Sequence, residues 1–266
     1  MSQEIILQAN HLVKSYTQRS GRFGFSSTKI KALNDVSISL KAGSTLAVVG
    51  ESGSGKSTLA RCLLQLHPFD SGEVLFQGQD LAKLSGQALR DVRKYLQMVF
   101  QDPFASLNPR MRVGEIVGEG LLVHSLGSAG EQKEKVHQML QRVGLEVSDA
   151  QKYPHQFSGG QRQRIGIARA LVLEPKVVVC DEPVSALDVS VQAQILLLLK
   201  ELQREMNLSY IFISHDLRVV RHIADEVVVM HQGLIVEQGA VKDIYNAPQQ
   251  AYTQQLLSAI PGRKAA

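Results

Sequence analysis

Uninterrupted apolar runs of strand length recur along this chain, with helix-period segments between them. Residues 45–49 (TLAVV), 177–180 (VVVC) and 210–213 (YIFI) carry no charge, the pattern of strands covered on both faces. Residues 5–7, the alternating Val36, Ile38 and Leu40, residues 74–76 and residues 96–100 read as further strands. Residues 227–230 and 234–236 flank Gly233 and predict a hairpin. Residues 59–66 predict a helix. After Gly130, the positions Val136, Met139, Leu140 and Val143 share one helical face, with Glu131, Lys133, Glu134 and Lys135 outside it. Residues 190–206 predict another helix. Strands alternating with helices imply an α/β core with a largely parallel sheet. Residues 85–157 are mostly helical in pattern and interrupt that core, so an inserted helical subdomain is expected there. The tail after Tyr245 carries Pro248, Pro261 and Gly262, ends basic, and is expected to fray at its last residues.

Composition narrows the class. With 266 residues, 44% hydrophobic and 20% charged, the chain suits one large domain or a domain with a subdomain. No apolar run approaches the roughly 18 residues of a membrane span. The N-terminal MSQEIILQANH lacks the basic-then-apolar order of an export signal. Cys62 and Cys180 have no metal-ligand spacing and read as small buried hydrophobes in a reducing compartment. A net charge of +4 is mild, and no nucleic-acid partner is expected from it. Arg19, Arg22, Lys29 and Lys31 lie in a Gly/Ser-rich stretch that reads as a solvated loop, with membrane headgroups or a protein partner as the alternative.

Candidate chemistry begins at Gly50, Glu51, Ser52, Gly53, Ser54, Gly55, Lys56, Ser57 and Thr58, which fit G-x-x-x-x-G-K-[ST] between a predicted strand and a predicted helix. Such a loop turns several N–H groups onto one phosphate, where the helix dipole adds positive charge. Lys56 is expected to reach the β- and γ-phosphates, and the Ser57 hydroxyl to ligate Mg²⁺. The bland alternative is a flexible Gly/Ser loop. At the end of the run 177–180, Asp181 can hold Mg²⁺, directly or through water, and Glu182 can polarise an attacking water. The alternative there is an acidic turn. Ser158, Gly159, Gly160 and Gln161 open a further predicted helix and offer a second anion site. That site has two uses: gripping the same nucleotide, or gripping one held mainly by another copy. A plain N-cap at Ser158 is the third reading.

The phosphate loop, FSGGQRQR, VVVCDEP, SALD and ISHD stand in the order found in ATP-binding subunits of ABC transporters, and the likeness covers nearly the whole chain. The resemblance implies a P-loop NTPase, RecA-like core with an N-terminal antiparallel β region and an inserted helical subdomain. The ATP-binding domain would span residues 1–245, with the helical subdomain at about 85–157 and a tail at 246–266. It further implies that two such domains enclose two ATPs, the Ser158–Gln161 segment of one facing the γ-phosphate held by the other. By position, Gln101 resembles the glutamine that touches Mg²⁺ or the attacking water, and an amide can do so without adding charge. Asp188 resembles the aspartate that links the two halves, and His215 the histidine that contacts the γ-phosphate. Tyr16 falls where the family places an aromatic on adenine, although tyrosine is also an ordinary strand residue.

Residues 101–110 (QDPFASLNPR), the long loop at 17–30 and the tail from Pro248 through AYTQQLL resemble the oligopeptide/dipeptide branch of bacterial ABC importers, which includes nickel, opine and glutathione uptake systems. The resemblance implies ATP and Mg²⁺ as the bound species. It implies as partners a second ATPase subunit, of different sequence or, as the alternative, a second copy of this chain, with two membrane permease subunits and, through them, an extracytoplasmic solute-binding protein. The location implied is peripheral, at the cytoplasmic face of the inner membrane. Some members carry a cysteine cluster near the C-terminus; no cysteine follows Cys180 here, so no iron–sulfur cluster is expected. A soluble ABC ATPase acting on DNA or ribosomes would carry a long coiled coil or a second cassette, and a P-loop kinase would leave SGGQ unexplained.

Overall fold

The structure, a computed structural model, describes residues 4–20, 26–102 and 104–260. Two compact units divide the chain: residues 1–85 with 211–266, and residues 86–210.

The first unit begins with β1 (Ile5–Ser20) and β2 (Ser26–Lys41), a long antiparallel ribbon, followed by β3 (Thr45–Val49), α1 (Lys56–Leu63), β4 (Ser71–Phe76) and β5 (Gln79–Asp80). The ribbon joins β4 and β5 in the order β2-β1-β4-β5. Its pairing runs from Leu7 opposite Leu40 through Ala9 opposite Ile38 to Tyr16 opposite Ile30 and Ser20 opposite Ser26. The loop expected at 17–30 is therefore strand as far as Ser20 and again from Ser26. Its Gly/Ser-rich composition hid this, because the register is set by buried Leu7, Ala9, Leu12, Val36, Ile38 and Leu40 further along the same strands. Arg22, Pro261 and Gly262 lie outside the described residues.

In the second unit α2 (Gly86–Arg93), β6 (Leu96–Val99), α3 (Val113–Val123), α4 (Ala129–Arg142), α5 (Gly159–Leu171), β7 (Val177–Asp181) and α6 (Val189–Met206) follow, and β8 (Ser209–Ser214) leads back to the first unit. β6 and β7 pair in parallel, so the stretch from 85 to 157 holds a strand as well as helices. Helix α4 begins where Ser128 and Glu131 form a capping box, Ser128 N–H donating to Glu131 Oε2 at 2.7 Å. Val136, Met139, Leu140 and Val143 are its buried stripe. All five residues of β7 are buried.

Back in the first unit come α7 (Leu217–Ile223), β9 (Glu226–His231), β10 (Leu234–Ala240), α8 (Val241–Asn246) and α9 (Ala251–Ser258). The strand order here is β10-β9-β3-β8, with β3 and β9 parallel and β9–β10 the predicted hairpin about Gly233. Every residue of β3 and β8 is buried, which is why these segments carry nothing charged. The tail after Tyr245 includes a helix, α9, whose Leu257 is 1% exposed.

Candidate active site

The loop between β3 and α1 has a shape that only glycine allows at two points. Gly50 has φ +149° and Gly55 φ +108°. A Cβ on Gly50 would stand 2.1 Å from the Met230 carbonyl oxygen, and one on Gly55 2.3 Å from that of Ala32. The turn after β9 fastens the loop: Gly233 N–H donates to the Ser54 carbonyl at 3.0 Å, and the Gly233 carbonyl accepts from Asn34 N–H at 2.8 Å. Inside, the buried Lys56 ammonium donates to the carbonyl oxygens of Gly50 and Glu51 at 2.8 and 2.7 Å and lies 3.4 Å from Ser54 Oγ. Gly55, the N-cap of α1, makes no side-chain cap. The first-turn N–H groups and the lysine charge are thus gathered where an anion would bind.

His215 follows β8 on the exposed side of a stiff turn. Asp216 Oδ1 accepts the Arg218 N–H at 2.8 Å, and the Arg218 guanidinium forks onto both carboxylate oxygens, at 2.7 Å to Oδ2 and 3.0 Å to Oδ1. This fork holds the Asp216 carboxyl below its usual range. Gly50 and His215 line one cavity of about 280 Å³ together with Leu217 and, from α9, Leu256. Tyr16 stands apart on β1, 40% exposed, with its hydroxyl 3.2 Å from His67 Nδ1 and the Lys14 ammonium 5.4 Å from its ring centroid.

Within the second unit, Asp181 closes β7 and is 5% exposed. Glu182 then adopts φ +47°, the left-handed region that costs a non-glycine residue roughly 1–2 kcal/mol. Its carbonyl accepts from Ser185 N–H at 3.2 Å and from Ser185 Oγ at 3.1 Å, so the chain reverses directly after the strand. Glu182 Oε2 accepts from Gln101 Nε2 at 3.0 Å, across 81 residues of sequence. The pair joins a proton acceptor to an amide whose oxygen remains suited to a cation or water.

At the start of α5, Ser158 Oγ accepts the Gln161 N–H at 3.3 Å and Gln161 Oε1 accepts the Ser158 N–H at 3.0 Å. Ser158 therefore does cap its helix. The box engages the N–H groups of Ser158 and Gln161; those of Gly159 and Gly160 lie between them at the positive end of a 13-residue helix. A Cβ on Gly160 would lie 2.5 Å from Val191 Cγ1 of α6, so any larger residue there would have to displace that side chain. Asp188 is the exposed N-cap of α6.

Sequence reading missed two sets of contacts. Arg162 and Arg169 of α5 grip the segment beyond Gln101: the Arg162 guanidinium sits 3.9 Å from the Phe104 ring centroid, and Arg169 Nη1 donates to the Ser106 carbonyl at 2.5 Å. Tyr252, on α9, accepts the Glu51 N–H of the loop at 3.2 Å, from 201 residues away. No local pattern reports either pairing, although Arg162 lies within FSGGQRQR and Arg169 five residues beyond it.

The model of the ABC transporter family matches residues 33–185. The oligopeptide transport ATP-binding protein AppF of Bacillus subtilis is 53% identical over 261 residues, which are 98% of this chain and 79% of that protein. The dipeptide transport ATP-binding protein DppF of Escherichia coli is 53% identical over 97% of this chain and 77% of its own length. Among solved structures, an ATP-binding cassette captured as a dimer in a post-hydrolysis state with ADP and Pi superposes with a TM-score of 0.77 at 29% identity, covering 88% of this chain and 98% of that one. On sequence and fold alike, the chain belongs to the ABC transporter family, as one of its ATP-binding cassettes.

Proposed function

We propose that this chain is the ATP-hydrolysing subunit of an importer of di- and oligopeptides, working at the cytoplasmic face of the inner membrane. The observation that carries the ATPase reading is the Gln101–Glu182 hydrogen bond beside buried Asp181, in a chain that also holds a glycine-bent loop closed around an ammonium. The peptide cargo is supported by the oligopeptide and dipeptide transport names of relatives that match nearly the whole chain.

In this reading the loop from Gly50 to Thr58 grips the triphosphate, with Glu51, Ser52, Gly53 and Ser54 shaping the cradle and Lys56 supplying charge to the β- and γ-phosphates. Tyr16 stacks on adenine. Glu182 takes the proton of the attacking water at its carboxylate, Gln101 keeps that carboxylate oriented, and His215 donates to a γ-phosphate oxygen. Mg²⁺ fits the donors offered by Ser57, Asp181 and Gln101, since a hydroxyl, a carboxylate and a carboxamide oxygen are the hard ligands this ion takes alongside phosphate and water. Bound there, it offsets the phosphate charge. An iron–sulfur cluster does not fit, because it needs a fuller set of thiolates than Cys62 and Cys180, both buried, can give.

Two copies of the cassette fold, this chain and a second ATPase subunit, close over ATP. Ser158, Gly159, Gly160 and Gln161 of one face the γ-phosphate on the other, and Asp188 links the halves. Because those contacts exist only in the closed pair, ATP shifts the population toward closure and hydrolysis releases it. Two permease subunits carry the motion across the membrane, and an extracytoplasmic binding protein delivers solute to them. Replacing Glu182 with Gln keeps the shape and removes the base. In the assembled transporter, Glu182→Gln should retain ATP, hold the closed pair through gel filtration and lose turnover by about 10²- to 10⁴-fold. Hydrolysis at the wild-type rate would remove Glu182 from this role, and vesicles that fail to accumulate labelled peptide with wild-type protein would refute the cargo.

A further inference from the structure

The C-terminal helix reaches back to the phosphate loop, and the contact falls on one peptide plane. Gly50 C=O and Glu51 N–H belong to the same peptide unit, whose two polar edges point in opposite directions. Lys56 Nζ donates to the carbonyl edge at 2.8 Å, and Tyr252 Oη accepts from the N–H edge at 3.2 Å. The tyrosine is itself held, its ring centroid 4.0 Å from that of His231 at the end of β9. Helix α9 has a firm seat. Both oxygens of the Glu237 carboxylate, on β10, accept from the chain leading into it, Gln249 N–H at 2.7 Å and Gln250 N–H at 3.1 Å. Thr253 and Leu257 are each 1% exposed. Further along the same helix, Leu256 lines the cavity shared by Gly50 and His215.

We infer that Tyr252 is a positioning residue for the nucleotide site: the tail uses its hydroxyl to lock the Gly50–Glu51 peptide in the orientation that keeps the phosphate-binding N–H groups converged. When Lys56 turns a donor from the loop carbonyls to a phosphate, the carbonyl edge of that peptide loosens. The N–H edge stays fixed by the tyrosine, and Gly50, free to rotate at φ +149°, does not flip. Nucleotide binding and tail docking are then coupled, each strengthening the other by the same factor. This rests on the reading of residues 50–58 as the nucleotide loop.

The test is equilibrium binding of MgATP and MgADP to the full chain carrying Tyr252→Phe or Tyr252→Ala, with hydrogen exchange of α9 in parallel. Phe keeps the ring against His231 and removes only the acceptor. Tyr252→Phe should weaken nucleotide binding by about two- to tenfold, the worth of one neutral hydrogen bond, and lower the melting temperature of the free protein by no more than that one bond accounts for. In the wild type, MgADP should slow exchange of the α9 amides, and Tyr252→Phe should abolish that slowing. If Phe binds nucleotide like wild type while Ala weakens it, the contact is packing and the inference fails. Exchange of α9 indifferent to nucleotide overturns it equally. Failure of the wild type to bind nucleotide at all would instead refute the nucleotide reading.

Discussion

Lys56 is buried at 5% exposure and fully engaged with oxygens, so its charge is held in a fixed place rather than waving from the surface. Truncation should act on binding: Lys56→Ala is expected to weaken MgATP affinity about ten- to hundredfold, from the loss of charge-assisted hydrogen bonds, as read by titration calorimetry. The two cysteines give a second expectation. Burial pushes the Cys62 thiol up to about 11 from 9.0, and the wholly buried Cys180 thiol rises too. Since its folded value lies above the unfolded one, the stability Cys62 contributes is complete below pH 9 and is lost as pH climbs from 9 toward 11. At pH 8 maleimide should label both thiols only as fast as the chain opens; prompt labelling of native protein would contradict their burial.

Helix starts are where individual elements here are specified. Removing the Ser158 hydroxyl leaves the Gln161 N–H without its cap, so Ser158→Ala should cost about 1 kcal/mol, seen as a lower urea midpoint with an unchanged slope. Strands at 45–49, 177–180 and 210–213 were legible because complete burial leaves an unbroken apolar run. The hairpin was legible through Gly233, and α4 through its stripe, while its cap at Ser128 came only with the structure. Residues 17–20 and 26–30 were not, since strands that continue by register alone need no apolar signature of their own. The site divides the same way. Motif residues announce themselves by local backbone demands, as Gly50 and Gly55 do. The Gln101–Glu182 bond joins residues 81 apart, and Tyr252 meets Glu51 from 201 away; both are products of folding that no window of sequence contains.

At the level of the whole molecule, a ligand that binds only the folded chain stabilises all of it. MgATP at 100 times its dissociation constant should add about 2.7 kcal/mol, a rise in melting temperature of about 5–10 °C for a chain of this size. EDTA should remove much of that rise if the nucleotide binds together with Mg²⁺. Lys56→Ala should show about half of it or less at the same ATP concentration, and a full shift in that variant would place the ligand elsewhere. The left-handed turn at Glu182 has a counterpart at this scale. A glycine there would relieve that strain but forfeit the Gln101 hydrogen bond and add freedom to the unfolded chain, so Glu182→Gly should melt close to the natural protein while its hydrolysis collapses. A carboxylate is thus kept in an awkward bend by the contacts around it, so on the proposed reading residue 182 is a place where the strain of the fold serves turnover.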